Sequence, residues 1–182
     1  MRHRFIALLG LFLGLVGPAM TQTAMVDYTP PAHDQWTYLS DQVMGGVSTG
    51  GAQIRGSGAD AYLQLQGDVS TQNRGGFIQT RVALTDPIPA DAQGIILQVR
   101  GNGETYFVHL RTKGTVLPWQ FYQAGFEAGA DWTEVRIPFD VFAPSSRLIR
   151  KGLRPESMTS LGFAAYGRDH RADLSARWIG VY

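Results

Sequence analysis

The chain contains no cysteine. That absence removes disulfides, thiolate zinc sites, iron–sulfur clusters, cysteine nucleophiles and an acylated lipoprotein cysteine. Charge is scarce as well: 17% of the 182 residues are charged, and the formal balance is only +1, so there is no broad field to draw in nucleic acid. No Asn-x-Ser/Thr sequon occurs, and the histidines show neither His-x-His nor His-Glu-x-x-His spacing, so no local zinc motif is written into the chain. What is present is 44% apolar residues, enough to fill a core and too many for disorder. The 22 Gly and 9 Pro fit a turn-rich β protein better than helices laced with ion pairs.

The chain opens with a positive flank, Arg2, His3 and Arg4, followed by an apolar run from Phe5 to Val16 and the small-residue exit Gly17-Pro18-Ala19. This is the layout of a secretory signal peptide over residues 1–19, cut after Ala19. The run is short of the roughly 20 apolar residues a spanning helix needs, and an uncleaved anchor is the alternative. It is neither amphipathic nor rich in Arg and Ser, as a mitochondrial presequence would be. Cleavage would leave 14 basic residues against 15 acidic, a nearly neutral mature protein in the periplasm or outside the cell. Residues 20–33 read as an extended polar leader with Pro30-Pro31, and residues 34–182 as one domain.

Within that domain, short runs alternate apolar and polar residues between Gly, Asn, Asp and Pro. Strands are expected near Trp36–Ser40, Ala61–Leu65, Gly76–Leu84, Gly94–Arg100, Thr105–Thr112, Trp119–Ala124, Trp132–Pro138, Ser160–Tyr166 and Arg177–Tyr182. Asn102-Gly103 is the strongest hairpin signal. Short helical pieces are expected only near Asp140–Phe142 and Pro155–Thr159. So many strands predict an all-β antiparallel sandwich or jelly roll, because a lone sheet could not cover its apolar face. Which face of Trp132–Pro138 points inward stays open at this level.

Several patterns invite chemistry. Gly46-Val47-Ser48-Thr49-Gly50 spells G-x-S-x-G, but a nucleophile elbow needs a following helix, and Gly51, Gly56 and Gly58 would break one. A serine hydrolase using Ser48 would also need a carboxylate-held imidazole; His170 has Asp169 beside it in sequence. Asp41, Asp68 or Asp173 could ligate calcium as jelly-roll loops do, although single Asp residues at strand ends usually form turns. Gly56-Ser57-Gly58 and Gly101-Asn102-Gly103 lack the helix a phosphate cradle requires. Arg147, Arg150, Lys151 and Arg154 crowd one loop, which could face anionic lipid headgroups, an acidic partner or plain solvent. Trp119, Phe121 and Tyr122 alternate on an expected strand. An outward Tyr122 with Gln120 would suit a carbohydrate-binding face, with Trp119 turned to the core.

Trp36, Asp41 and Val43-Met44-Gly45-Gly46-Val47-Ser48 resemble the W…D…MGG-S signature of the complex I intermediate-associated protein 30 family. Asn73-Arg74-Gly75-Gly76-Phe77 with Arg81 is similar to its N-x-G-G-F segment, and Gly101-Asn102-Gly103 with Tyr106 and Leu110-Arg111-Thr112 to its G-D-G…Y…L-R-T hairpin. There Asn102 stands where Asp is usual. Trp132-Thr133-Glu134-Val135 with Ile137-Pro138-Phe139 and the closing Ile179…Tyr182 extend the resemblance over residues 34–182. It implies a galactose-binding-like jelly roll with no cofactor, metal or nucleotide. It also implies a non-catalytic, chaperone-like role, since mitochondrial members assemble respiratory complex I. For an exported chain the implied partner is an exported or membrane-embedded protein. On this reading Asp41, Met44, Gly45, Gly46 and Ser48 form a rigid loop, either scaffold or contact surface. A carbohydrate-binding module using Trp119 and Tyr122 is the alternative.

Overall fold

A computed structural model describes residues 21–26 and 35–182. The expected signal peptide (1–19) and most of the expected leader (20–33) lie outside the described residues. The strands are β1 (Thr23–Ala24), β2 (Thr37–Ser40), β3 (Thr49–Arg55), β4 (Tyr62–Val69), β5 (Phe77–Ala83), β6 (Gly94–Gly101), β7 (Glu104–Thr112), β8 (Tyr122–Ala128), β9 (Thr133–Pro138), β10 (Ala143–Pro144), β11 (Met158–Tyr166) and β12 (His170–Val181). They form two antiparallel sheets. One runs β3-β4-β12-β6-β9 with β1 beside the end of β12; the other runs β10-β8-β7-β11-β5-β2. The all-β sandwich expected from the sequence is what forms.

Alternation decides the inner faces. Ile95, Leu97 and Val99 of β6 point inward against Tyr106, Val108 and Leu110 of β7 and Leu161 and Phe163 of β11, all buried in one core. The open question at β9 resolves through register: Val135 pairs with Leu97 and Ile137 with Ile95, so they share the inner face. Trp132 therefore belongs to the outer side, where the guanidinium groups of Arg100 and Arg177 lie 4.8 and 4.5 Å from its ring. A bulge at Trp178, at φ 42°, shifts the β12 register so that Ile179 and Val181 stay buried.

The Asn102-Gly103 turn joins β6 to β7 as expected, with Gly103 at φ 83°. Asn102 also acts through its side chain. Its Nδ2 donates to the Arg171 carbonyl (2.8 Å) while its Oδ1 accepts from the Tyr106 hydroxyl (2.6 Å). An ionised Asp at this position could accept the second bond but not make the first.

Three expectations shift. β3 forms where no strand is expected, β8 begins three residues later than expected, and β12 begins at His170 rather than at Arg177. The expected helical pieces are single 3-10 turns, Phe139–Val141 and Pro155–Ser157.

Candidate functional site

At one end of the sandwich the chain leaves β2, crosses to the other sheet and enters β3. Asp41, the first residue of that crossing, is fully buried. A carboxylate can lie there only because donors converge on it. Its Oδ1 accepts the Ser48 N–H at 2.9 Å. Its Oδ2 accepts the Ser48 hydroxyl at 2.5 Å and the N–H groups of Gly76 at 2.5 Å and Phe77 at 3.3 Å. The Ser48 Oγ in turn accepts the Ser70 N–H at 2.9 Å, and Gln42 Nε2 donates to the Ser48 carbonyl at 2.9 Å. Two loops, 41–48 and 70–76, are thus tied through one carboxylate. A third joins them: Asp169 accepts the Thr71 N–H and hydroxyl, both at 2.7 Å, and Gly167 N–H donates to the Gly76 carbonyl.

The glycines of the motif have separate reasons. Gly45 ends a 3-10 turn over Asp41–Met44 at φ 88°, where a side chain would be strained. Gly46 and Gly75 are needed for space. A Cβ on Gly46 would run into the Asp41 carboxyl, and one on Gly75 would lie 2.8 Å from Asp41 Cγ. Asn73 and Arg74, at φ 56° and 60°, carry the 70–76 loop through the left-handed region to reach this approach.

Burial pushes the Asp41 carboxyl up. The Ser48 hydroxyl and the N–H groups of Gly76, Ser48 and Phe77 together outweigh it, and the net displacement is downward from the ordinary 3.8. The clamp therefore contributes its full stability above that ordinary value and loses it as pH falls through the lower folded value.

The clamp buries its polar groups and exposes the apolar ones between them. Val43 is 65% exposed and Met44 67%, with Val47 also exposed. Of the expected site residues, Asp41, Gly45, Gly46 and Ser48 are brought together as the frame, and Met44 is the group they present.

Trp119 and Tyr122 lie at the other end of the strands, and their expected phase is inverted. Residues 117–120 form a turn, with Gln120 N–H donating to the Leu117 carbonyl at 3.0 Å, and the strand starts only at Tyr122. Tyr122 pairs with Leu110 and points into the core, its hydroxyl donating to the Arg150 carbonyl at 2.8 Å. Gln120 is buried too, accepting the Leu117 N–H, so neither forms the outward pair expected for a sugar. Trp119, expected inside, is 63% exposed.

Sequence reasoning missed the outer face of the β10-to-β2 sheet. Small residues on β11, Ser160, Gly162 and Ala164, make a low floor there between taller neighbours on β5 and β7. A cleft over this floor is walled by Gln79, Arg81, His109, Arg111 and Phe121. Phe121 stacks on His109 at 4.1 Å, and Phe107 meets Tyr166 at 4.4 Å, whose hydroxyl donates to Gln123 at 2.8 Å. The signal was the outward alternation of Phe107, His109 and Arg111 on β7.

Burial pushes the His109 imidazole down from 6.5 to about 4, so His109 itself adds no charge to the cleft wall near pH 7. The unfolded chain takes up this proton below about 6.5 while the folded one resists. Stability is intact above that point and lost between 6.5 and about 4. His109→Gln is expected to flatten this limb in urea unfolding across pH. The separate loss below 3.8, where Asp41 acts, should persist in that variant.

Ser48 spends its hydroxyl on Asp41 and Ser70, and neither is an imidazole; His170 Nδ1 lies against the Arg168 carbonyl instead. Asp41 has both oxygens occupied by protein donors. Among the described residues no three His, Asp or Glu side chains gather as a metal site.

The family model for complex I intermediate-associated protein 30 matches residues 26–173. The chain belongs to that family. The Asp41–Ser48 clamp, the Asn73–Phe77 loop and the Gly101–Thr112 hairpin all fall within the match. No curated protein matches the chain by sequence. Among solved structures the chain is similar to a family 11 carbohydrate-binding module from Clostridium thermocellum in complex with a β-1,3-1,4-mixed-linked tetrasaccharide. The identity is 14% and the TM-score 0.70, over 90% of this chain and 96% of that one. It is also similar to a family 30 module of a cellulosomal cellulase of the same organism, at 14% identity and TM-score 0.52, over 74% and 89%. At such identities the likeness is one of fold: this chain and these modules share an antiparallel two-sheet β-sandwich.

Proposed function

We propose that this chain is an exported, non-catalytic binding protein of the assembly-factor type, which holds a protein partner through the Val43–Val47 loop. The observation that carries this reading is the clamp. A fully buried carboxylate with four donors fixes a loop whose outward residues are two valines and a methionine. Holding apolar side chains out in water is unfavourable unless a partner covers them, and Met adapts to irregular apolar surfaces. Family membership supports a protein as the partner. The apolar run at residues 5–16 supports export, and a membrane or respiratory complex is the class of partner expected.

The test is retention of a partner by the tagged full chain from solubilised membranes. Met44→Asp is expected to release it, with the melting temperature unchanged because Met44 is largely exposed and stands outside the core. Equal retention by wild type and variant would contradict the reading.

A second reading rests on the cleft. Two ring pairs, Phe107–Tyr166 and His109–Phe121, flank a floor of Gly162 and Ser160 beside Gln79, Gln123 and Arg81, which suits stacking and hydrogen bonding of a sugar. The fold neighbour's bound tetrasaccharide supports it. Calorimetry with mixed-linkage β-glucan should then show binding that Tyr166→Ala and Arg81→Ala abolish and Met44→Asp leaves intact.

A further inference from the structure

The end of the sandwich opposite the Asp41 clamp carries a different surface. The register fixes the two ends: β11 pairs Tyr166 with Phe77 at the clamp and Ser160 with Ala83 at the far end, where Met158 also meets Thr112. Two loops project there, one following β7 and one following β10. On them sit the two most exposed large apolar residues of the described chain, Leu148 at 82% and Val116 at 80%, together with Trp119.

These side chains are held outward. Ser145 ties the loops together, its hydroxyl donating to the Trp119 carbonyl at 2.9 Å and accepting the Phe121 N–H at 3.0 Å, while its own N–H reaches the Phe121 carbonyl at 2.9 Å. Arg111 braces the first loop from below, donating to the carbonyls of Thr115 at 2.8 Å and Leu117 at 3.1 Å. Tyr122 braces the second through the Arg150 carbonyl. Segments 113–123 and 141–155 hold five cations, Lys113, Arg147, Arg150, Lys151 and Arg154, and no Asp or Glu. All five are exposed, and none makes an ion pair among the described residues.

Apolar tips with a Trp, ringed by unpaired cations, match the two layers of an anionic bilayer surface. Trp settles at the headgroup level, small aliphatic tips enter just below it, and Lys and Arg meet the phosphates. The single sign of charge on both segments suits a uniformly anionic surface. We propose that these loops dock on an anionic lipid surface, with Val116, Trp119 and Leu148 entering the headgroup boundary and Arg147, Arg150 and Lys151 pairing with lipid phosphates. Docked this way, the molecule points its Met44 loop away from the bilayer. The proposal stands whether that loop holds a protein or the cleft holds a sugar.

The experiment uses the full chain with vesicles of phosphatidylcholine alone, or of phosphatidylcholine and phosphatidylglycerol in equal parts. The signal of Trp119 is read as the emission of wild type minus that of Trp119→Phe. The expected result is a blue shift, and quenching by brominated acyl chains, with the phosphatidylglycerol vesicles only. The triple change Arg147→Ala, Arg150→Ala, Lys151→Ala should weaken the response about 100-fold, at roughly a factor of five per cation. Leu148→Asp should weaken it independently, and both variants should melt like wild type. Adsorption of the chain with a silent Trp119 would overturn the proposal, because another surface would then carry the contact. So would an undiminished response in the triple variant, or a Trp119 signal that answers mixed-linkage glucan and not vesicles.

Discussion

Asp41→Ala is expected to lower the unfolding free energy by about 4 kcal/mol, which for a domain of this size is roughly 10 °C in melting temperature. The magnitude follows from what the substitution strands. The N–H groups of Ser48, Gly76 and Phe77 and the Ser48 hydroxyl all lose their acceptor, and the site is too enclosed for each to find water. Each buried donor left unmade costs about 1–3 kcal/mol, partly offset because the charge itself no longer needs desolvating. The same change should free the 41–48 loop, so partner retention falls even with Met44 intact. Urea unfolding of wild type and variant measures the first effect. A loss under about 1 kcal/mol would show that the carboxylate is a bystander.

Gly75→Ala should cost about 3 kcal/mol, the second largest effect. Its Cβ would lie 2.8 Å from Asp41 Cγ and 3.0 Å from Gly46 Cα. The carboxylate cannot swing aside without breaking its four bonds, and Gly46 is backbone. The clash and the clamp are therefore one object, and the two changes should not add. In the Asp41→Ala background, Gly75→Ala should cost at least about 1 kcal/mol less than in wild type. Gly129→Ala is the control: nothing lies within 4 Å of its added Cβ, and its effect should be small. Strict additivity of Asp41→Ala and Gly75→Ala would mean that the two loops are stabilised separately.

Much of this architecture is legible in the sequence because alternation is strong where one face is buried. Ile95, Leu97 and Val99 read as a strand and form one. β3 was hidden because Thr49-Gly50-Gly51 carries no side-chain pattern. Gly50 and Gly67 face each other across the β3–β4 pair, and a Cβ on Gly67 would lie 2.7 Å from Gly50 Cα, so their glycines serve backbone approach that only the pairing reveals. The inverted phase at Trp119 has a similar cause. Alternation says which residues share a face, but the turn that sets the starting residue is held by Gln120 and Ser145, 25 residues apart in sequence. The clamp was half legible. Asp41 with the Met44–Ser48 turn could be read locally, whereas its bonds to Gly76 and Phe77 span more than 30 residues. The cleft depends on three strands lying side by side with small residues in the middle, and no single stretch encodes that.

If a partner covers the Val43–Val47 loop, residue 44 lies at the contact. A photo-crosslinking amino acid placed at residue 44 of the full chain, activated in intact cells, tests this most directly. One discrete crosslinked protein is expected, absent when the same residue is placed at exposed position 55 on β3, and lost when Asp41→Ala releases the loop. Crosslinking that is diffuse, or equal at the two positions, would contradict it.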